Sequence, residues 1–174
     1  MESVNLKQMI REVHDFPKPG INFYDLTTLF RDAGAFRTAV DAMARELDGG
    51  KVDAVLGIEA RGFILGAALA YKLNVGLIVA RKFGKLPAET EDETYQLEYG
   101  EATIEVHRDA ISPGERVLII DDLLATGGTA AAAGKLVEKL EGVVAGYGFL
   151  VELDSLEGRE KLGGANTFSL LHYP

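Results

Sequence analysis

Two adjacent acids, Asp121 and Asp122, lie between an apolar run and a small, hydroxyl-rich turn in the stretch VLIIDDLLATGGTA, residues 117–130. The apolar run is typical of a buried strand, and the residues after the turn have the pattern of a helix. Glycines let the turn's N–H groups approach a ligand, and threonines add hydroxyl donors where the helix starts. We therefore predict that this turn binds a phosphate group through Ala125, Thr126, Gly127, Gly128 and Thr129.

Carboxylates beside a phosphate site indicate a ligand that also carries hydroxyl groups. Asp121 and Asp122 can accept hydrogen bonds from sugar hydroxyls, and their charge would favour positive charge that develops on a sugar ring. A 5-phosphorylated ribose with free 2- and 3-hydroxyls has both kinds of group. We predict such a ribose as the ligand. The alternative is an ordinary strand-to-helix turn with two exposed acids.

Other cofactor and catalytic motifs fit the chain less well. The segment GGTAAAAGKL resembles a Walker A loop, but its spacing is too long and Lys135 is followed by Leu136 rather than Ser or Thr. The segment GYGFLV lacks the third glycine of a dinucleotide fingerprint and falls within a predicted strand. The sequence contains neither a G-x-S-x-G elbow nor an H-E-x-x-H pair.

Alternating strands and helices must position the acids and the turn. Apolar runs and helical periodicity predict two strand–helix–strand units, which are typical of a parallel sheet with ligands at the carboxyl ends of its strands. The predicted strands are 52–58, 75–80, 116–120, 143–153 and 167–171, and the predicted helices are 34–50, 63–73 and 129–142. The fold class is therefore α/β, with a central, mostly parallel sheet flanked by helices.

Two further segments lie outside these units. Apolar residues at helix-like spacing between 4 and 13 predict a first helix, which Pro17, Pro19 and Gly20 must break. The acidic segment from about 83 to 95 is predicted as a mobile lid, and alternation around 95–107 predicts a hairpin arm.

Composition limits the classes of partner. The chain has 174 residues, a formal net charge of -9 and no cysteine. One compact domain over 1–174 is expected, and the negative charge disfavours binding to nucleic acid or anionic membranes. No apolar run approaches the ~20 residues that span a bilayer. We expect a cytoplasmic protein.

At residues 117–129 the sequence resembles the type I phosphoribosyltransferases, whose signature for phosphoribosyl pyrophosphate is an apolar strand, two acids and an Ala-Thr-Gly-Gly-Thr-like turn. The resemblance implies the type I phosphoribosyltransferase fold, with a small N-terminal hood over about 1–34 and a flexible lid and hairpin arm over about 83–107. It also implies a homodimer and Mg²⁺ that is held mainly by the substrate, with no metal ligand required from the protein.

The resemblance also assigns residues to the leaving diphosphate. The segment EARGF corresponds to the family's pyrophosphate loop, which implies that the Arg61 side chain and the backbone of Glu59, Ala60 and Gly62 bind diphosphate. The segment RKFGKLP adds Arg81 and Lys85 as further ligands. We interpret Lys82, in the same segment, as a solvated surface charge.

The segments FPKPGINFYDLTTL and YQLEYG resemble those of the family members that use adenine, and EARGF, GKLP and SLEGREKL fit the same members. This implies transfer of the 5-phosphoribosyl group to adenine, giving AMP and pyrophosphate. The implied roles are purine stacking by Phe23, polar-edge reading by the backbone of Asn22 and Tyr24, proton handling by Glu98, closure by Tyr99, and pocket lining by Leu123 and Ala125.

Two alternative functions, and two departures from the residues that relatives usually carry, stay open at this point. The acceptor could be a 6-oxopurine such as hypoxanthine, guanine or xanthine, or the chain could be a regulator that binds the donor without catalysis. The chain has Tyr24 where relatives often carry Arg, and Phe83 where Pro or Arg is common. Packing in the core is an equally good interpretation of Phe23 and Tyr99.

Overall fold

A mixed sheet of seven strands organises the protein. The computed structural model describes residues 5–47, 50–97 and 100–174. Within them the strands are β1 (Arg11–His14), β2 (Asn22–Asp25), β3 (Ala54–Ile58), β4 (Gly76–Lys82), β5 (Thr90–Gln96), β6 (Glu101–His107), β7 (Arg116–Leu124), β8 (Val143–Leu153) and β9 (Thr167–Tyr173). The helices are α1 (Thr27–Arg31), α2 (Ala33–Glu46), α3 (Arg61–Leu73) and α4 (Gly128–Lys139), with short 3₁₀ helices at Leu6–Met9, Asp154–Leu156 and Gly158–Leu162.

The large sheet has the order β5-β6-β4-β3-β7-β8-β9, and the small sheet pairs β1 with β2. The pairs β3/β4, β3/β7, β7/β8 and β8/β9 are parallel, whereas β6 pairs antiparallel with both β4 and β5. The predicted α/β fold with a mostly parallel sheet is therefore confirmed. From β3 the chain moves to β4 on one side, and from β7 it moves to β8 on the other.

Helices cover both faces of the sheet because its central strands are apolar on both sides. Successive residues of β7 point to opposite faces: Val117 and Ile119 pack with α4, and Leu118 and Ile120 pack with α2 and α3. The N-termini of α3 and α4 therefore reach the same edge of the sheet from opposite faces.

The predicted helix between 4 and 13 is wrong. The chain instead forms the short 3₁₀ helix at Leu6–Met9 and then β1, which pairs with β2 and places Val13 opposite Phe23. A helix of this length is marginal on its own, and the turn at Pro17–Gly20 brings a strand partner close. The hairpin therefore replaces the helix.

The acidic segment before the arm is also different from the prediction. Residues 90–95 belong to β5, which pairs with β6 along its full length, with Thr90 opposite His107 and Gln96 opposite Glu101. Ion pairs dock the strand on α4: Glu93 contacts Lys135 and Lys139, each at 2.9 Å. Charges that we predicted to be solvated in a mobile lid thus have partners on a neighbouring helix.

Candidate active site

The carboxyl ends of β3 and β7 form a crevice, because the chain leaves these two adjacent strands in opposite directions. Such a switch point is where open α/β sheets bind ligands. The register pairs Gly57 of β3 with Ile120 of β7, so Glu59 and the acid pair lie side by side. A cavity of about 440 Å³ opens here, lined by Ile58, Glu59, Ala60, Arg61, Lys82, Tyr95, Ile104, Asp121, Asp122, Leu123 and Thr129.

The predicted phosphate turn follows β7 and leads into α4. Residues Leu123 to Thr129 line a second, adjoining cavity of about 80 Å³. Gly127 caps α4 with a φ of 77°. A Cβ at that position would overlap the carbonyl oxygen of Gly158, so only glycine fits there. Because the cap has no side chain, the first N–H groups of α4 are available for an anion.

Asp121 and Asp122 differ in their surroundings. Asp122 is 5% exposed and forms an ion pair with Arg61. Asp121 is half-buried, and its Oδ1 accepts a hydrogen bond from the Asp122 N–H at 2.8 Å. Burial, together with the charge of Asp122, raises the pKa of Asp121 well above its ordinary value. Of the two acids in the site, Asp122 is therefore paired with a cation, and Asp121 is poorly solvated.

Arg61 starts α3 directly after β3, as the sequence predicted. Burial lowers its pKa, but the hydrogen bond and the charge of Asp122 outweigh burial, so the pKa is raised overall and the guanidinium stays charged. The residue before it, Ala60, caps α3 without a side-chain hydrogen bond, and Gly62 is buried in the first turn. A second helix N-terminus thus faces the crevice beside the acid pair.

The basic residues at the end of β4 and just after it do not all point to the crevice. Arg81 forms an ion pair with Glu59 at 3.3 Å, and its Nη1 donates to the Lys85 carbonyl oxygen at 3.1 Å. Lys85 itself is exposed. Lys82, which we interpreted as a solvated surface charge, is exposed, as that interpretation expects, and it also lines the main cavity. Side chains alternate between the two faces of a strand, so Arg81 and Lys82, which are neighbours at the end of β4, point to different sides of the sheet.

Sequence reasoning missed Glu105, a buried acid on β6. The residue is 3% exposed. Its carboxylate accepts hydrogen bonds from the N–H groups of Lys85 and Leu86, each at 2.9 Å, and from the Thr90 hydroxyl at 3.2 Å. Burial raises its pKa, but these hydrogen bonds outweigh burial and lower it overall. Glu105 therefore fixes the backbone of the segment that carries Lys85.

The predicted purine residues lie on β2, near Arg61. The Phe23 ring lies 5.9 Å from the Arg61 Cζ and 5.3 Å from the Phe16 ring, edge to face. Tyr24 points to the other side of the strand, where it is buried against Tyr173 with ring centroids 4.0 Å apart. Tyr24, which stands where relatives often carry Arg, is thus a packing residue whose side chain does not face the crevice. Glu98 and Tyr99 lie outside the described residues.

Among the described residues, one group of potential metal ligands lies at the carboxyl ends of β8 and β9. His172 Nδ1 is 2.7 Å from Asp154, and Glu152 is nearby. Arg159 already binds Glu152 through three hydrogen bonds of 2.7–2.8 Å. This cluster is therefore explained by side-chain ion pairing.

Among the described helices, none has the length and apolar character needed to cross a membrane.

Comparisons with known proteins decide which family this crevice belongs to. The family model described as "Phosphoribosyl transferase domain" matches residues 30–161. The adenine phosphoribosyltransferase of Acidobacterium capsulatum is 57% identical over 168 residues, covering 97% of this chain and 93% of its own. That of Desulfitobacterium hafniense is 53% identical, covering 99% of this chain and 100% of its own. The chain belongs to the adenine phosphoribosyltransferase family.

Solved structures of this family have the same fold. Adenine phosphoribosyltransferase from Thermoanaerobacter pseudethanolicus superposes with a TM-score of 0.94 at 52% identity, covering 97% of this chain and 98% of its own. The Saccharomyces cerevisiae enzyme, solved as a complex with adenine and an imino-altritol bisphosphate, has a TM-score of 0.90 at 44% identity, covering 95% and 96%. The predicted type I fold is confirmed, and neither the 6-oxopurine acceptor nor the non-catalytic regulator is favoured.

Proposed function

We propose that the crevice binds phosphoribosyl pyrophosphate and adenine together and that its residues transfer the 5-phosphoribosyl group to N9 of adenine. As a member of its family, the chain is a transferase of purine salvage that forms AMP and pyrophosphate. One observation carries the assignment of the site: two helix N-termini without side-chain caps flank a carboxylate pair at a topological switch point. These features match a donor with a phosphate at each end and a ribose between them.

The ribose 5-phosphate part of the donor fits the β7–α4 turn. The first N–H groups of α4 and the hydroxyls of Thr126 and Thr129 would donate to the 5-phosphate. Asp121 and Asp122 would accept hydrogen bonds from the ribose hydroxyls, while Leu123 and Ala125 would line the sugar and base pocket. The carboxylates would also stabilise positive charge on the ribose ring as the bond to diphosphate breaks.

The diphosphate fits the N-terminus of α3, through the backbone of Glu59, Ala60 and Gly62 and the side chain of Arg61. Arg61 is held by Asp122, and both are proposed ligands of one donor. Donor binding therefore exchanges the ion pair for a contact from Arg61 to diphosphate and one from Asp122 to ribose. Lys85 and Arg81 would add positive charge, and Arg81 must first leave Glu59.

Mg²⁺ is proposed as the cofactor. With the donor bound, Asp121 and Asp122 would both accept hydrogen bonds from ribose hydroxyls, and Asp121 also accepts a backbone N–H. The described residues therefore fit a metal ion that takes most of its ligands from substrate oxygens. When bound, Mg²⁺ neutralises charge on the departing diphosphate. Lys82, which lines the cavity, would add to that neutralisation from the protein side.

In the transfer step, the bond from ribose C1 to the diphosphate oxygen breaks and the bond from C1 to adenine N9 forms. The electron pair leaves with diphosphate, and adenine gives up the proton of its imidazole ring. Glu98 is the proposed acceptor of that proton, Phe23 the stacking partner, and Asn22 and Tyr24 the backbone readers of the purine edge. Closure by Tyr99 and its neighbours would exclude water from the electrophilic sugar.

We also propose a cytoplasmic homodimer that uses small-molecule substrates and neither nucleic acid nor membrane. The lack of cysteine supports a cytoplasmic location, and the net charge of -9 disfavours binding to nucleic acid or to an anionic membrane. Exposed apolar side chains on α3 and β4 support self-association: Ile64 is 44% exposed and Leu77 is 41% exposed.

The proposal is tested by mixing the protein with Mg²⁺ and phosphoribosyl pyrophosphate and offering adenine, hypoxanthine, guanine and xanthine separately. We expect AMP from adenine and no nucleotide from the others, because a site that hydrogen-bonds an amino group rejects an oxo group strongly. Nucleotide formation from a 6-oxopurine instead would overturn the proposed purine site and leave the proposed donor site in place. Donor binding without turnover would overturn the catalytic roles.

A further inference from the structure

Tyr95, on β5, lines the main cavity but has no role in the function proposed above. Its hydroxyl oxygen accepts a hydrogen bond from the Thr129 hydroxyl at 2.9 Å. Thr129 is in the first turn of α4, where the proposed 5-phosphate site begins. Since a phenol both accepts and donates, the Tyr95 O–H still has its own hydrogen to donate. A phosphate oxygen is the acceptor that the neighbouring turn is built to hold.

The position of Tyr95 is fixed by the docking of β5 on α4. Glu93 and Tyr95 are on the same face of β5, because side chains two apart in a strand point the same way. Glu93 is bound by Lys135 and Lys139, and Lys139 also donates to the Asp92 carbonyl oxygen at 2.7 Å. These contacts hold the tyrosine over the helix N-terminus.

The Tyr95 ring closely covers that terminus. A Cβ built on Gly128 would lie 3.3 Å from Tyr95 Cδ2, so the first turn of α4 and the ring meet without an intervening side chain. The hydroxyl therefore sits at the rim of the phosphate cradle, beside a donor that the cradle already uses. A phosphate there would accept from Thr129 after its hydroxyl rotates away from Tyr95.

We infer that the Tyr95 hydroxyl is a further phosphate ligand, which donates a hydrogen bond to the 5-phosphate of the ribosyl donor and of the nucleotide product. The inference rests on the proposed function for the identity of these ligands. It adds a donor from the hairpin arm to a site otherwise made by β7 and α4. Contact with the 5-phosphate distinguishes this role from one in purine binding or diphosphate departure.

The two reactants that carry a 5-phosphate provide the readout. Tyr95→Phe keeps the ring and removes only the hydroxyl. We expect the KM for phosphoribosyl pyrophosphate, and the KM for AMP in the reverse reaction, to rise at least about 10-fold, because a charge-assisted hydrogen bond is lost. The KM values for adenine and pyrophosphate should stay within about twofold. Tyr71→Phe, at a residue 91% exposed on α3, is the matched control.

Calorimetric binding of ribose 5-phosphate tests the same contact without turnover. The Kd should weaken at least about 10-fold in Tyr95→Phe and stay unchanged in Tyr71→Phe. Unchanged KM values and an unchanged Kd would overturn the inference, as would an equal rise for all four reactants. If the wild-type protein formed no AMP but bound ribose 5-phosphate in a Tyr95-dependent way, the proposed function would fail and this inference would stand.

Discussion

The two ends of the crevice are built in different ways. The proposed phosphate end is made by one continuous segment from β7 to α4, and Gly127 of that segment fits against the backbone of Gly158 in the 3₁₀ helix Gly158–Leu162. The purine end is assembled from β2, a separate hairpin, and its proposed contacts to the base are mostly backbone atoms. The phosphate end is therefore specified by residue types at fixed spacing, whereas the purine end depends on how distant segments pack. Substitutions at the two ends should have different sizes and affect different reactants.

The largest expected effect is that of Gly127→Ala at the phosphate end. The new methyl group would overlap the Gly158 carbonyl oxygen and would require a φ of 77°, so the turn must move. Because several phosphate hydrogen bonds of roughly 1.5–3 kcal/mol each depend on that turn, kcat/KM for the donor should fall at least about 1,000-fold. Steady-state kinetics measures this. Gly76→Ala is the control, since nothing lies within 4 Å of its Cβ.

Next in size is Asp121→Asn, which should lower kcat/KM about 100-fold and raise thermal stability. The pKa of Asp121 is raised in the folded protein, so its ionised form destabilises the fold above the unfolded pKa of about 3.9. The variant should therefore melt several degrees above wild type at pH 7.5, and the gap should close towards pH 4.

Melting curves across that pH range check the prediction for Asp121. Asp109→Asn is the control, because Asp109 is exposed on the loop before β7 and its replacement should leave the melting temperature unchanged. A gap for Asp121→Asn that is the same at every pH would contradict an electrostatic origin.

At the purine end, Phe23→Ala should raise the KM for adenine about 10-fold, because stacking of a base on an aromatic ring contributes roughly 1–3 kcal/mol. The KM for the donor should change less than twofold. Phe83→Ala removes a ring of the same size that is 63% exposed and should alter neither value. An effect of Phe23→Ala on the donor alone would show that the ring acts by holding Arg61, which lies 5.9 Å away.

The smallest expected effect is that of Glu105→Gln on β6. It keeps an acceptor for the N–H groups of Lys85 and Leu86 but removes the charge, so the KM for the donor should rise about threefold. The pKa of Glu105 is lowered in the fold, so its contribution to stability is present above the unfolded pKa and lost as pH falls through the folded one. Wild type should melt above the variant at pH 7, and the difference should shrink in acid; Glu101→Gln, exposed on the same strand, should show no difference.

The sequence allowed accurate prediction where local pattern decides the structure. The acid pair, the turn and the strands around them follow from an apolar run, two glycines and a helical period. The strand predicted over 116–120 continues to Leu124 and so contains the acid pair. Prediction failed where partners are distant in the chain. Residues 4–13 have helical spacing, but Arg11–His14 form a strand that pairs with β2. The acidic segment 90–95 looks like a loop until Lys135 and Lys139 are placed beside it. Glu105, and the position of Lys82 beside the cavity, were missed for the same reason, since only the sheet shows which way each side chain points.

The approach of α3 and α4 from opposite faces of the sheet has a consequence for product release. The proposed donor would be a bivalent ligand: α3 would hold its diphosphate and α4 its 5-phosphate, and each contact would raise the effective concentration of the other. Transfer cuts the ribosyl donor between its two anchors. Pyrophosphate would then have contacts only at the α3 end and the nucleotide's phosphate only at the α4 end, so the chemical step itself would convert one tightly held molecule into two that dissociate independently.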